Sequence, residues 1–294
     1  MVDLVRTFAD TRSRYRGKVA LVPTMGYFHE GHLALMKAAR GAAETVVVSL
    51  FVNPLQFNDP ADLATYPSDL ERDLDLAATV GVDLLFAPTS SSMYPVDPKT
   101  RVSVAGVSDR MEGPRRPRHF EGVATVVAKL FAGLRPDFAF FGRKDGQQLA
   151  VVKRLTIDLS FPVTIIGQPT LRESDGLALS TRNVFLRPED RPGALLLSKG
   201  LFAAADLAER GQTSAAVLED AVRTIAEPME LEYVELASQD SAERLAELDR
   251  PAFLALAARV GSIRLIDNVA LDLVAGDVLA DRGIRLGRTS MLYS

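Results

Sequence analysis

Short apolar segments alternate with helical patterns through the first half of this 294-residue chain, and that alternation constrains the fold more than any other feature. The segments KVALVP (Lys18 to Pro23), TVVVSLFVN (Thr45 to Asn53), VDLLFAP (Val82 to Pro88), DFAFFG (Asp137 to Gly142) and VTIIG (Val163 to Gly167) are rich in β-branched and aromatic residues. Polar or turn residues bound each one, so they read as strands. Their near-continuous apolar character suits a sheet covered on both faces. Between them lie predicted helices. GHLALMKAARGA follows the first strand. SDLERDLDLAATVG opens on Ser68, an N-cap residue type, has Glu71 three residues later as in a capping box, and stops at Gly81. In GVATVVAKLFAGLR, Val123, Val126, Val127, Leu130, Phe131 and Leu134 share one face. Such alternation predicts an α/β fold with a doubly wound parallel sheet, which takes ligands at the carboxyl ends of its strands.

After about residue 170 the texture changes to Ala/Leu/Glu-rich helical stretches, then to two strand-like pieces, LEYVELAS and FLALAARVGSIRLIDNVAL. The expectation is a first domain over 1–170 and a smaller α+β domain over 171–294. A net charge of −4 argues against non-specific nucleic-acid binding and against a polybasic membrane contact. The chain has no cysteine, which rules out disulfides and thiolate metal sites and fits a reducing cytoplasm. Its charged first residues, MVDLVRTFADTRSRYRG, lack the apolar stretch of a secretory signal, and no apolar run is long enough to span a bilayer.

Two of the three histidines, His29 and His32, stand in VPTMGYFHEGH, directly after the first strand. The strand delivers Thr24, Met25 and Gly26 to the start of a helix predicted near Gly31. A helix N-terminus attracts phosphate, each imidazole can donate to a phosphoryl oxygen, and Gly26 and Gly31 permit close approach. A solvated loop is the bland alternative. A zinc site built with His119 is another, although a zincin helix needs i, i+4 spacing with a glutamate inside it. GRKDGQQL offers Lys144 to a phosphate, Asp145 to ribose hydroxyls, and the amides of Gln147 and Gln148; a charged helix-start loop is the plain reading. RESDGLALSTRN sets Ser180, Thr181 and Arg182 in a row, a clamp for a leaving pyrophosphate or simply a surface loop. FVNPLQF carries Asn53 and Gln56 between aromatics, and EGPRRPRHFEG places Arg116 and His119 before a helix, where arginines either capture an anion or face solvent.

Taken in order, PTMGYFHEGH, FVNPLQF, MYP, RRPRHFEGV, GRKDGQQL and RESDGLALSTRN closely resemble the pantoate–β-alanine ligase (pantothenate synthetase) family, with a weaker echo in RLIDN (Arg264 to Asn268). The resemblance implies a Rossmann-like sheet of the HxGH nucleotidylyltransferase superfamily type. A nucleotide- and pantoate-binding domain would be followed by a smaller lid domain. It implies ATP-dependent joining of (R)-pantoate to β-alanine through a pantoyl adenylate, with Mg²⁺ carried mainly on the ATP phosphates, in a cytoplasmic homodimer. His32, His29, Lys144 and Arg182 would be catalytic. The ATP site would comprise Thr24, Met25, Gly26, His29, His32, Gly142, Lys144, Asp145, Leu171, Leu179, Ser180, Thr181 and Arg182. Gln56 and Gln148 would hold pantoate, with Asn53, Tyr66, Arg116 and His119 near the substrates. The chain departs from the family's usual G-E-K-D-Y-Q-Q: Arg143 replaces the acid and Gly146 the tyrosine, so an aromatic that packs this loop is gone. Arg143 then either adds a cation for the phosphates or faces solvent. Leu179 and Thr181 stand where methionine and serine are commoner. A superfamily nucleotidylyltransferase would explain HEGH and STRN but not the ordered FVNPLQF and KDGQQ pair, and a non-catalytic nucleotide-binding module is the other alternative.

Overall fold

A computed structural model describes residues 2–293. Its strands are β1 (Asp3–Val5), β2 (Val19–Thr24), β3 (Thr45–Leu50), β4 (Leu84–Phe86), β5 (Phe138–Gly142), β6 (Thr164–Gln168), β7 (Leu171–Arg172), β8 (Glu230–Ser238), β9 (Ala252–Val260), β10 (Ile263–Val274), β11 (Asp277–Asp281) and β12 (Ile284–Arg285). The helices are α1 (Phe8–Ser13), α2 (Glu30–Ala42), α3 (Pro60–Ala64), α4 (Leu70–Thr79), α5 (Ser90–Met93), α6 (Glu112–Arg115), α7 (His119–Leu134), α8 (Gly146–Asp158), α9 (Arg191–Glu209) and α10 (Ala215–Ile225). The chain divides into two compact units: residues 1–141 with 151–168, and residues 142–150 with 169–294.

In the first unit the six-stranded sheet has the order β1-β4-β3-β2-β5-β6. The pairs β1–β4, β3–β4, β2–β3 and β2–β5 are parallel. The chain steps outward from β2 through β3 to β4, then crosses back to lay β5 against the other side of β2. A doubly wound sheet binds ligands where its strand order reverses, outside the carboxyl ends, so β2 is the strand to watch. Ala20, Val22, Val46, Val48, Leu85 and Phe140 join Phe28 and Met36 of the following segment in one core. Removing each of the valine, leucine, phenylalanine and methionine side chains among them from water contributes about 1.5–3 kcal/mol. Helix α4 starts one residue later than its sequence suggests. Asp69, not Ser68, is the N-cap, and its carboxylate accepts from the Arg72 N–H. Both residue types cap well, so the pattern alone could not choose between neighbours. Helix α7 is buried over more than one face, His119, Phe120 and Thr125 included, so its apolar stripe understates its burial.

In the second unit an antiparallel sheet of order β11-β10-β9-β8 is covered by α9 and α10. Leu197, Leu201 and Leu218 pack on Leu254, Leu256 and Val269. The piece FLALAARVGSIRLIDNVAL is two strands rather than one, folded back at Gly261–Ser262 so that Val260 pairs with Ile263. The next turn, Ala275–Gly276, has positive φ at both residues (53° and 95°), the geometry that two-residue hairpins favour, and sends the chain into β11. A separate two-stranded ladder pairs β7 with β12. No helix among the described residues is long and apolar enough to cross a membrane.

Candidate active site

Strand β2 ends with the Thr24 hydroxyl donating to the Ser49 carbonyl at 2.7 Å. The chain then turns sharply. Gly26 has φ +90° and Tyr27 φ +54°, left-handed backbone that costs a tyrosine energy and must be held from outside. The turn makes His29 the N-cap of α2. The His29 Nδ1 accepts from the Gly31 N–H at 3.0 Å, and the His32 Nδ1 accepts from the His29 N–H at 3.3 Å. Backbone N–H groups only donate, so in each neutral ring the hydrogen sits on Nε2. The two imidazoles, with centroids 4.1 Å apart, thus carry Nε2–H donors at the positive end of a helix. Gly31 serves the histidine as well as any ligand, because a Cβ there would lie 2.7 Å from His29 Cε1.

Asp73 of α4 holds this turn. Only 1% exposed, its carboxylate accepts from the Tyr27 and Phe28 N–H groups at 2.7 Å each. Arg72 donates to the Phe28 carbonyl at 2.9 Å and lies over the Tyr27 ring. Burial pushes the Asp73 carboxyl above its ordinary value, and the two N–H donors pull it back. Sequence reading misses Asp73: Glu71, Asp73 and Asp75 alternate there, and only the fold shows which one is buried.

A second cluster in the same unit surrounds Gln56. Asn53, 1% exposed, donates to Gln56 Oε1 at 2.9 Å and to the Gly122 carbonyl at 3.0 Å, and accepts from the Leu55 N–H and the Tyr94 hydroxyl. Those four bonds match the capacity of an amide. Asn53 therefore braces Gln56 by occupying its Oε1, so that any further bond from this amide is a donation from Nε2. His119 holds the backbone of Gln56: Arg116 donates to its Nε2 at 3.2 Å, so Nδ1 carries the hydrogen and donates to the Gln56 carbonyl at 3.0 Å. Tyr66 packs edge-on against Phe57. Tyr94, from the MYP segment, belongs to this cluster; burial pushes its phenol up to about 12, which keeps it a donor.

The remaining expected residues lie in the second unit. Gly142 leads into the 3-10 turn Arg143–Asp145, and α8 follows, with Gln147 buried and Gln148 half-buried. Lys144 Nζ sits 3.8 Å from Asp145 Oδ1. Asn268 donates through its one amide to the carbonyls of both Arg143 and Lys144. Its neighbour Asp267 forms a two-pronged pair with Arg172 at 2.7 and 3.0 Å, both side chains lying out of water. Leu171 and Leu179 face each other across a tight hairpin, the Leu179 N–H donating to the Leu171 carbonyl at 2.9 Å. Ser180 then caps a 3-10 turn containing Thr181 and Arg182, its hydroxyl accepting from the Arg182 N–H. That turn is anchored by buried Asn183, which donates to Glu173 at 2.8 Å and to the Ala178 carbonyl. Arg191 and the Tyr293 hydroxyl also donate to Glu173. Asn268, Asn183 and Glu173 escape a reading confined to ligand-type motifs because they work through backbone and through each other.

Residues 1–270 match the profile of a family described as pantoate-beta-alanine ligase. A pantothenate synthetase of Moorella thermoacetica is 47% identical over 280 residues, 92% of this chain and 99% of its own length. One of Heliobacterium modesticaldum is 49% identical over 257 residues, 86% of this chain and 92% of the relative. The crystal structure of pantothenate synthetase from Thermus thermophilus superposes with a TM-score of 0.86 at 45% identity, covering 91% of this chain and 98% of that one. A Francisella tularensis pantoate-beta-alanine ligase, solved with beta-gamma ATP and beta-alanine, has a TM-score of 0.75 at 32% identity over 91% of this chain and 97% of that one.

Proposed function

The chain belongs to the pantoate–β-alanine ligase family, and from that premise we propose which of its residues carry the ATP-dependent ligation of pantoate to β-alanine, and how. In the first step a carboxylate oxygen of (R)-pantoate attacks the α-phosphorus of ATP. The bond to the bridging oxygen breaks and diphosphate leaves with the electron pair. In the second, the β-alanine nitrogen attacks the acyl carbon of the adenylate, AMP departs with the C–O electrons, and the amine proton passes to solvent. Step one needs no general base, because the carboxylate is already an anion at neutral pH. The work is positioning and charge stabilisation.

The observation that carries this reading is the paired-histidine cap. His29 and His32 each have Nδ1 committed to backbone, which orients Nε2–H donors at a helix N-terminus following the central strand. These donors suit phosphoryl oxygens; Thr24, Met25 and Gly26 shape the turn beneath them. Lys144, Ser180, Thr181 and Arg182 supply the cation, hydroxyl and guanidinium that suit a departing diphosphate. Gly142, Asp145, Leu171 and Leu179 are assigned to the nucleoside. Gln56 and Gln148 are assigned to pantoate, with Asn53, Tyr66, Arg116 and His119 around them. The Francisella relative, solved with a nucleotide and beta-alanine, supports this choice of substrates.

Mg²⁺ would enter with ATP and neutralise phosphate charge. The donor set here, cationic and hydroxyl rather than carboxylate, fits an ion held by the triphosphate and water. Residues 1–170 would bind nucleotide and pantoate and residues 171–294 act as the lid. A homodimer and a cytoplasmic location, where ATP is abundant, complete the proposal. An AMP-release assay with each substrate omitted in turn tests it. AMP is expected only when ATP, pantoate and β-alanine are all present, while pantoate alone should support exchange of labelled diphosphate into ATP. Exchange without pantoate, or AMP release indifferent to β-alanine, refutes it.

A further inference from the structure

The turn that carries Lys144 is held at three places between residues 143 and 146, all within the second unit. At the first, Arg143 Nη1 lies 3.2 Å from Asp272 Oδ2 and 3.3 Å from Asp281 Oδ2. Gln239 donates to the other oxygen of Asp272 at 2.8 Å, so that acceptor is itself held in place. At the second, the Asn268 amide ties down the Arg143 and Lys144 carbonyls. At the third, a Cβ on Gly146 would lie 3.2–3.4 Å from the ring of Phe253, a buried residue of β9. An aromatic from the sheet thus occupies the room that a side chain at 146 would need. Asp272 and Asp281 both lie beyond residue 270, where the match to the family profile ends.

We propose that Arg143 is a positioning residue: paired with Asp272 and Asp281, it fixes the turn from which Lys144 reaches the phosphates of ATP, and it does not itself bind the nucleotide. The inference rests on the role proposed for Lys144. It differs from both expectations for an arginine at this place, a cation for phosphate or a solvated side chain. The guanidinium already faces two carboxylates, which leave little of its field for a third anion. Half-exposed ion pairs contribute little to stability, so the effect belongs to geometry, where a misplacement of about 1 Å can cost about 10²-fold in rate.

Steady-state kinetics with ATP varied, run beside calorimetric ATP titration, test the assignment. R143E is expected to lower kcat/KM for ATP about 10- to 100-fold. R143E/D272R, which restores opposite charges at the same places, should recover to within about fivefold of wild type, as a double-mutant cycle of paired groups requires. D272N/D281N, which releases the arginine, should weaken ATP binding about tenfold. The KM for pantoate should stay within about twofold throughout. A phosphate-binding arginine predicts the reverse: D272N/D281N would bind ATP as well as wild type or better, and R143E/D272R would be as poor as R143E. Either result overturns the proposal. Melting curves identify a misfolded variant, and should R143E be one, D272N/D281N decides alone through its opposite predicted sign. Wild type that binds ATP yet makes no pantothenate would count against the ligase assignment, while the calorimetric arms would still decide the role of Arg143.

Discussion

At the scale of single residues, the histidines of the cap hold the turn together, and the same rings are the ones proposed to meet the phosphates. His32→Ala removes a proposed phosphate donor and also the acceptor for the His29 N–H. The expected loss is about 10²–10³ in kcat, together with about 0.5–2 kcal/mol of stability from the broken cap. Asp73→Asn should separate the two effects. An amide offers one acceptor oxygen where the carboxylate offers two, so a buried N–H of Tyr27 or Phe28 loses its partner. About 1–3 kcal/mol of stability should go, and kcat/KM for ATP should fall at least about tenfold with every proposed ligand still present. Initial rates and melting curves measure both, and an Asp73→Asn rate within twofold of wild type would remove Asp73 from the positioning role. His29 and His32 were legible in the sequence because rare residues stood at a strand-to-helix junction. Asp73 was not: a carboxylate that serves backbone from a different helix leaves no local pattern.

Among elements, the strands were easiest to read. Unbroken apolar runs such as Val46–Val48 can only be buried, and the parallel sheet follows from helices lying between them. Short elements escaped: β7 and β12 are two residues each and exist through each other. The arginine that anchors β7 carries a prediction. Arg172 and Asp267 are 0% and 4% exposed as a bidentate pair, with the guanidinium also over the Phe202 ring. Removing one partner strands a buried charge, so Asp267→Ala should cost about 3–5 kcal/mol, whereas R172M/D267L, which removes both charges and keeps bulk, should cost clearly less. Denaturant unfolding of both variants checks this; equal losses would mean that the pair contributes chiefly through the shape of Asp267.

For the molecule as a whole, ionisation at high pH is a sensitive probe. Burial pushes Tyr94 and Tyr293 up to about 12 from an ordinary 10.0, and raises Tyr15 further. Each folded pKa exceeds its unfolded value, so the stabilisation from keeping a phenol neutral is complete below pH 10 and is lost as the pH climbs towards 12. Tyr94→Phe should flatten that limb, its melting temperature approaching that of wild type between pH 10 and 12; parallel curves would show that Tyr94 does not titrate in this window. The change of texture near residue 170 was visible in composition, but the reach of the second unit back to residues 142–150 was not, since it depends on tertiary contacts of a turn and half a helix. That discontinuity bears on protein engineering. A chimera spliced at residue 170 between this chain and a homologue would inherit a lysine turn from one parent and its fastenings from the other. A workable graft must carry residues 142–150 along with the carboxy-terminal segment, two crossovers rather than one.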